Sequence, residues 1–278
     1  MTDFLEQVVA SRREYVREAK ARRPIEDLLR GPMQGGTVPG RFGRALRGKK
    51  YGGHLAVIAE VKRTSPALGT LAPSSLSAAE QALRYEAAGA TAISVLTEPH
   101  FWGGSLDDLA AVRAAVSIPV LCKDVIVDEY QLVEAHARGA DAVLLIAEAL
   151  SDAELRRLRE RAASLFMDTL VEAHESVAFG RAVACGSLVV GINARNLRDP
   201  KDIDIGRARQ LHSFAKEGQV LVAESGIGSA DDARLLPARV DAVLVGTALM
   251  RADDPAPLIM ALAGIKRSQR ARTVVVRP

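Results

Sequence analysis

The stretch Ile58-Ala-Glu-Val-Lys-Arg-Thr-Ser-Pro66 sets an acid and an amine, Glu60 and Lys62, two residues apart at the end of an apolar run. In a strand, positions i and i+2 share a face, so the two side chains point the same way. Opposite charges closing a hydrophobic strand are expensive to bury unless they act together. Similar residues recur where later apolar runs stop: Lys123-Asp124, Glu172, Asn193 with Arg195 beyond, Glu224-Ser225-Gly226 and Gly246-Thr247. Three carboxylates facing two or three cations suit proton transfers to and from one substrate. Opposite charges at about 4 Å attract by roughly 4 kcal/mol at an effective dielectric near 20, which keeps Lys123 protonated and competent as an acid. A Glu beside other carboxylates has the reverse tendency and holds a proton. The Ser-Gly and Gly-Thr pairs are small enough for backbone N–H groups to approach a phosphate, with Lys62 and Ser65 on the adjoining side.

These residues need a frame that brings distant stretches to one rim. From Leu55 onward, short aliphatic and β-branched runs alternate with charged, Ala-rich amphipathic segments. The runs predict strands at 55–61, 91–97, 118–122, 141–146, 166–171, 187–192, 219–224 and 241–245. Helices are expected near 75–88, 105–115, 128–138, 151–163, 174–184, 204–216, 229–236 and 255–265. Ala88-Gly-Ala-Thr-Ala-Ile and Arg138-Gly-Ala-Asp-Ala-Val each pass from a glycine helix stop straight into a strand, and Val240-Asp-Ala-Val is a further strand entry. Eight such units in a row predict an α/β fold of the (β/α)8 TIM-barrel type, whose reacting groups lie at the carboxyl ends of the strands. No Gly-rich dinucleotide turn follows the first strand, which argues against an open doubly wound sheet. Residues 3–31 read as one or two amphipathic helices, Gly31 to Gly53 as a glycine-rich loop, and Ile265 to Pro278 as a basic tail. The expectation is one domain over 1–278: a helical extension (1–48), the barrel (49–265) and the tail (266–278).

Composition narrows the function classes. The chain has 278 residues, 48% hydrophobic but only 4% aromatic, so aliphatic residues must fill the interior, as buried parallel strands require. The net charge is +3, and the basic residues gather at both ends rather than in a stripe with aromatics between, which argues against nucleic-acid binding. Cys122 and Cys185 have no metal-like spacing, and no two of the five histidines are spaced as a helical metal site, so no metal is expected. No apolar run is long enough to span a membrane, and the N-terminus lacks a signal-peptide core. A cytoplasmic, monomeric or weakly oligomeric enzyme acting on a small phosphorylated molecule fits these facts.

Taken in order, these motifs resemble indole-3-glycerol phosphate synthase, a barrel enzyme family of tryptophan biosynthesis. The anchors, besides residues 58–66, are Leu96-Thr-Glu98 with Phe101 and Gly104-Ser105, Lys123-Asp124, Leu170-Val-Glu172, Gly191-Ile-Asn-Ala-Arg-Asn-Leu197, Ala223-Glu-Ser-Gly-Ile227 and Gly246-Thr-Ala-Leu-Met250. The resemblance implies a carboxy-lyase that closes the ring of 1-(2-carboxyphenylamino)-1-deoxyribulose 5-phosphate with loss of carbon dioxide and water, without a cofactor. It implies Lys123 as general acid and Glu172 as the proton-transfer group of the dehydration. Lys62 would stand near the substrate carboxylate and phosphate and share in the second proton step. Glu60 would orient the lysines and Asn193 would hold hydroxyls. Gly226, Gly246 and Thr247 would bind phosphate, while Ser65, Arg195, Glu224 and Ser225 line the substrate site. Pro66, Phe101 and Leu144 would cradle the anthranilate ring, and the N-terminal helix would pack over the mouth. The chain departs from the family at Val125, where an aromatic residue usually follows Lys-Asp, and at Trp102 beside Phe101. Two other readings stay open: a Schiff-base aldolase using Lys123 as nucleophile, and a non-catalytic barrel that binds an anion.

Overall fold

The computed structural model describes residues 3–31, 38–67, 69–71 and 76–267. Among them, eight parallel strands close into a barrel: β1 (Ala56–Val61), β2 (Ala92–Leu96), β3 (Val120–Lys123), β4 (Ala142–Ile146), β5 (Asp168–Ala173), β6 (Val189–Asn193), β7 (Val220–Glu224) and β8 (Ala242–Val245). Each strand pairs with its sequence neighbours, and β8 pairs with β1 to close the ring. Each predicted strand lies within two or three residues of an observed one. A short antiparallel hairpin, Thr64–Ser65 with Gly69–Thr70, interrupts the loop after β1.

Among the described residues the α-helices are, in chain order, α1 (Phe4–Arg22), α2 (Ile25–Leu29), α3 (Arg41–Tyr51), α4 (Ala78–Ala87), α5 (Pro99–Trp102), α6 (Leu106–Ala115), α7 (Glu129–Ala137), α8 (Asp152–Ser164), α9 (Ser176–Ala184), α10 (Arg207–Leu211), α11 (Ala230–Arg234), α12 (Thr247–Arg251) and α13 (Ala256–Ala263). Local sequence explains several starts. Ser77 with Glu80, Asp128 with Gln131 and Ser151 with Glu154 form reciprocal capping boxes that satisfy the first orphan N–H groups of α4, α7 and α8. The helix expected over 204–216 is shorter: α10 is one turn and a half, followed by a single 3-10 turn at His212–Phe214. Residues 194–206 are drawn instead into a loop, in which Asp204 N donates to Ala194 O (2.9 Å) and the Arg207 guanidinium donates to the same carbonyl (2.6 Å).

Strand alternation divides the core in two. Outward residues such as Val57, Ile93, Cys122, Val143, Val171 and Val243 pack beneath the helices. Inward residues fill the barrel, and on four strands the one at the amino end is alanine: Ala56, Ala92, Ala142 and Ala242. The space they leave is taken by α3, whose Phe42 and Leu46, one turn apart, are both fully buried in that inner cluster. This corrects the reading of Gly31–Gly53 as a loop; residues 32–37 lie outside the described set. The glycines misled because one of them is a packing glycine. A Cβ on Gly43 would stand 2.7 Å from Leu188 Cδ2, and the Gly43 N–H donates to Asp168 Oδ2 at 2.8 Å.

Of the basic tail, 268–278 lie outside the described residues. Lys266 bridges to His54, and the Arg267 N–H donates to the Gly53 carbonyl at 2.7 Å. Among the described residues no helix is long and apolar enough to cross a membrane.

Candidate active site

The carboxyl ends of the strands surround one open-mouthed cavity of about 1030 Å3, counted out to its opening. Glu60, Lys62, Ser65, Pro66, Lys123, Leu144, Glu172, Asn193, Arg195, Glu224, Ser225, Gly226, Gly246 and Thr247 all line it. Inward phase explains the convergence: Lys123, Glu172 and Glu224 occupy the last inward positions of β3, β5 and β7, and Glu60 the last of β1.

Lys123 is the hub. Its Nζ lies 2.6 Å from Glu224 Oε2 and 3.2 Å from Glu172 Oε2. The Asn193 amide donates to Glu172 Oε1 at 3.4 Å, and the Asn193 carbonyl accepts the backbone N–H of Arg195 at 3.0 Å. Lys62 Nζ forms a separate pair with Glu60 Oε1 at 2.8 Å, as their i, i+2 spacing implied. Glu60, Glu172 and Glu224 are buried, with 3%, 1% and 1% exposure, so the cations, not water, must stabilise them.

Burial alone would lower the Lys123 pKa, but Glu172, Glu224 and Glu60 outweigh it and raise it well above the ordinary lysine value. Each close carboxylate supplies about 5–6 kcal/mol of Coulomb attraction at an effective dielectric near 20. Glu224 moves the other way: burial, then the neighbouring Glu172, raise its pKa well above the usual carboxylate range although Lys123 opposes them. Glu60 is also penalised by burial, yet Lys62 and Lys123 hold its carboxyl below that range. The floor therefore combines a firmly protonated amine with a carboxyl group that retains a proton readily. Arg195 is destabilised as a cation by burial, which Glu60 partly offsets.

Two glycines create this crowding. On β6, a Cβ at Gly191 would stand 2.2 Å from Glu224 Oε1, and at the end of β8 a Cβ at Gly246 would stand 2.3 Å from Glu60 Oε1. After β7 the chain turns through two consecutive left-handed residues, Ser225 (φ 68°) and Gly226 (φ 74°). A side chain at Gly226 would meet Ile205 Cγ2 at 2.8 Å. Non-glycine residues avoid that region, so the strained Ser225 turn is a feature that functional sites concentrate.

The apolar wall differs from expectation in one member. Leu144 and Pro66 line the cavity, as do Val125, Ile146 and Leu96, but Phe101 does not. Glu98, fully buried, accepts the N–H groups of His100, Phe101 and Trp102 at 3.0, 2.6 and 3.2 Å and so caps α5. The resulting turn sends Trp102 into the cavity and Phe101 against Phe4, edge to face at 5.3 Å. Trp102 also packs on Phe4, at 5.7 Å. From α1, Phe4, Leu5 and Val8 close part of the mouth. The sequence placed the N-terminal helix over the mouth but did not single out these three residues. Gly191 was quoted only as part of a motif; nothing in its local sequence signals the carboxylate beside it.

A closed parallel barrel with a buried, charge-dense cavity at its carboxyl end defines an α/β-barrel enzyme with its site on the usual face. Solved barrels agree on the fold: a 3-hexulose-6-phosphate synthase superposes with a TM-score of 0.59 at 16% identity, over 75% of this chain and 98% of that one. The indole-3-glycerol phosphate synthase family model matches residues 5–262. An indole-3-glycerol phosphate synthase of Polaromonas sp. is 40% identical over 266 residues, covering 95% of this chain and all of that protein. One of Nocardioides sp. is 50% identical over 214 residues, 76% of this chain and 81% of that protein. The chain belongs to the indole-3-glycerol phosphate synthase family. Its activity is that of a decarboxylating lyase in tryptophan biosynthesis.

Proposed function

We propose that the charged cavity converts 1-(2-carboxyphenylamino)-1-deoxyribulose 5-phosphate to indole-3-glycerol phosphate by general acid–base catalysis centred on Lys123. The reading is carried by one observation: the Lys123 ammonium is buried between two carboxylates at 2.6 and 3.2 Å, and its pKa is raised. In the first step the ring carbon bearing the carboxylate attacks the ribulose carbonyl carbon, and Lys123 delivers a proton to the carbonyl oxygen. The bond to the carboxylate then breaks, carbon dioxide leaves and the ring regains aromaticity. In the last step the new hydroxyl leaves as water while a proton is lost from the adjacent methylene carbon. Glu172 serves this dehydration, and Lys62 shares in it.

Three cations (Lys62, Lys123, Arg195) stand among Glu60, Glu172 and Glu224, and the raised pKa of Glu224 weakens the negative side of this balance, which favours a substrate carrying its own carboxylate and phosphate. Ser225, Gly226, Gly246 and Thr247 form the phosphate side, while Trp102, Leu144, Pro66 and Val125 hold the ring and exclude water. Glu60 anchors Lys62, and Asn193 orients Glu172. A neutral amine, as Schiff-base chemistry needs, is opposed by the same carboxylates that hold Lys123 protonated. The buried free thiols of Cys122 and Cys185 fit a reducing compartment, the cytoplasm.

The test is purified protein with the carboxyphenylamino-deoxyribulose phosphate, following indole absorbance. Lys123→Met should abolish turnover while the protein stays folded, and Glu172→Gln should lower kcat by about 10²-fold or more. Retention of turnover by folded Lys123→Met would remove Lys123 from the acid role.

A further inference from the structure

Strand alternation at the end of β3 sends Lys123 into the barrel and the next residue, Asp124, back toward α1. There Asp124 Oδ2 receives Arg12 Nη2 at 2.9 Å and the Thr97 hydroxyl at 2.9 Å. Arg12 and Asp124 are both buried, with 3% and 6% exposure. The guanidinium lies 4.2 Å over the ring of Tyr15, whose hydroxyl donates to Glu134 on α7 at 2.7 Å. Arg12 Nε and Nη1 have no hydrogen-bond partner among the described residues.

Stability is a poor account of this pair. Desolvating two charges usually costs more than one end-on contact returns, and apolar replacements of a buried pair are often neutral or stabilising. Consistent with that, burial pushes the Asp124 carboxyl up to about 6 even with Arg12 and Thr97 beside it. The location supplies a different reason. Three residues of α1, one to two turns before Arg12, form part of the cavity wall, and one residue before Asp124 stands the amine proposed as the acid.

We infer that Arg12 and Asp124 are positioning residues, their contact fixing the α1 wall of the cavity at a set distance from the Lys123 ammonium. The ring side and the carbonyl side of one substrate are thereby held in register, and an error of about 1 Å between them costs about 10²-fold in rate. The inference rests on the proposed role of Lys123.

The experiment compares Arg12→Met, Asp124→Asn, the double variant and Arg12→Lys, each by steady-state kinetics and thermal unfolding. Both single variants should raise KM by about fivefold or more and lower kcat by about tenfold. A loss of folded fraction alone would lower apparent kcat and leave KM unchanged. The double variant should recover thermal stability, because no buried charge is left unpaired, yet keep the kinetic defect; Arg12→Lys, which keeps the charge, should recover part of KM. The inference is overturned if KM stays within about twofold of the parent in all four proteins, or if the double variant regains kinetics together with stability. If either single variant fails to fold, the double variant and Arg12→Lys decide alone. Lys123→Met separates the two claims: turnover there defeats the acid assignment, whereas an inactive Lys123→Met beside parent-like Arg12 variants defeats only the positioning role.

Discussion

Replacing Gly191 by alanine perturbs the site with one methyl group and no change of charge. The added Cβ would lie 2.2 Å from Glu224 Oε1 and 3.2 Å from both Glu172 Cβ and Leu170 Cδ1. Ordinary carbon–oxygen contact begins near 3.4 Å, so the Glu224 carboxylate must retreat by about 1.2 Å. That retreat breaks its 2.6 Å contact with Lys123 and leaves the ammonium held from one side by Glu172. A displacement of this size should lower kcat/KM by about 10²-fold. Overpacking should cost about 1–3 kcal/mol, or several degrees in Tm for a chain this long. The assay pairs indole formation with thermal unfolding. Adding Glu224→Asp to Gly191→Ala shortens the side chain by one methylene and should restore part of the rate. Activity within about threefold of the parent in Gly191→Ala would refute the claim that this glycine exists to seat the carboxylate.

Glu224→Gln tests the electrostatics through pH. A folded-state pKa raised above the ordinary carboxylate value contributes stability that is complete below about 4.3 and is lost as pH rises through the raised value. The stability of the variant relative to the parent should therefore rise with pH and fall again as pH drops toward about 4.3, and the variant should turn over about tenfold more slowly; a relative stability that falls with rising pH would contradict the assigned direction. Val125 is 4% exposed and lines the cavity. Val125→Phe should leave kcat within about twofold and lower KM, and a large loss of activity would show that Trp102 already fills the wall. Phe42→Ala, at the opposite end of the barrel, should cost about 3–5 kcal/mol in urea unfolding with KM unchanged. A shifted KM would show that the plug and the site communicate.

Legibility in the sequence followed the range of the physics. Strands, helix entries and the i, i+2 pair Glu60–Lys62 depend on period and near neighbours, and they were readable directly. The convergence of Lys123, Glu172 and Glu224 needed only the rule that barrel strands present their carboxyl ends to one rim. What stayed hidden depended on contacts between distant segments. Gly43 looks like a loop residue until Leu188 is placed against it, and Gly191 looks like a weak strand residue until the carboxylate of Glu224 is seen to need its missing side chain. Which of Phe101 and Trp102 reaches the cavity turned on how Glu98 caps α5, which sequence spacing does not resolve.

The two ends of the barrel interior are also linked by what the site demands. A carboxyl-end layer holding Glu60, Lys123, Glu172 and Glu224 cannot supply apolar burial, and its desolvated charges work against folding. The glycines at 191 and 246 weaken that layer further, because they contribute no packing of their own. The amino end compensates by an unusual route: alanines on four strands admit a separate helix, and Phe42 and Leu46 complete the core from outside the strand–helix repeat. On this argument α3 belongs to the stability of the barrel and α1 to its chemistry, although both precede β1. Loss of the α3 side chains should then unfold the protein before it alters substrate binding, whereas loss of the α1 contacts should alter binding first.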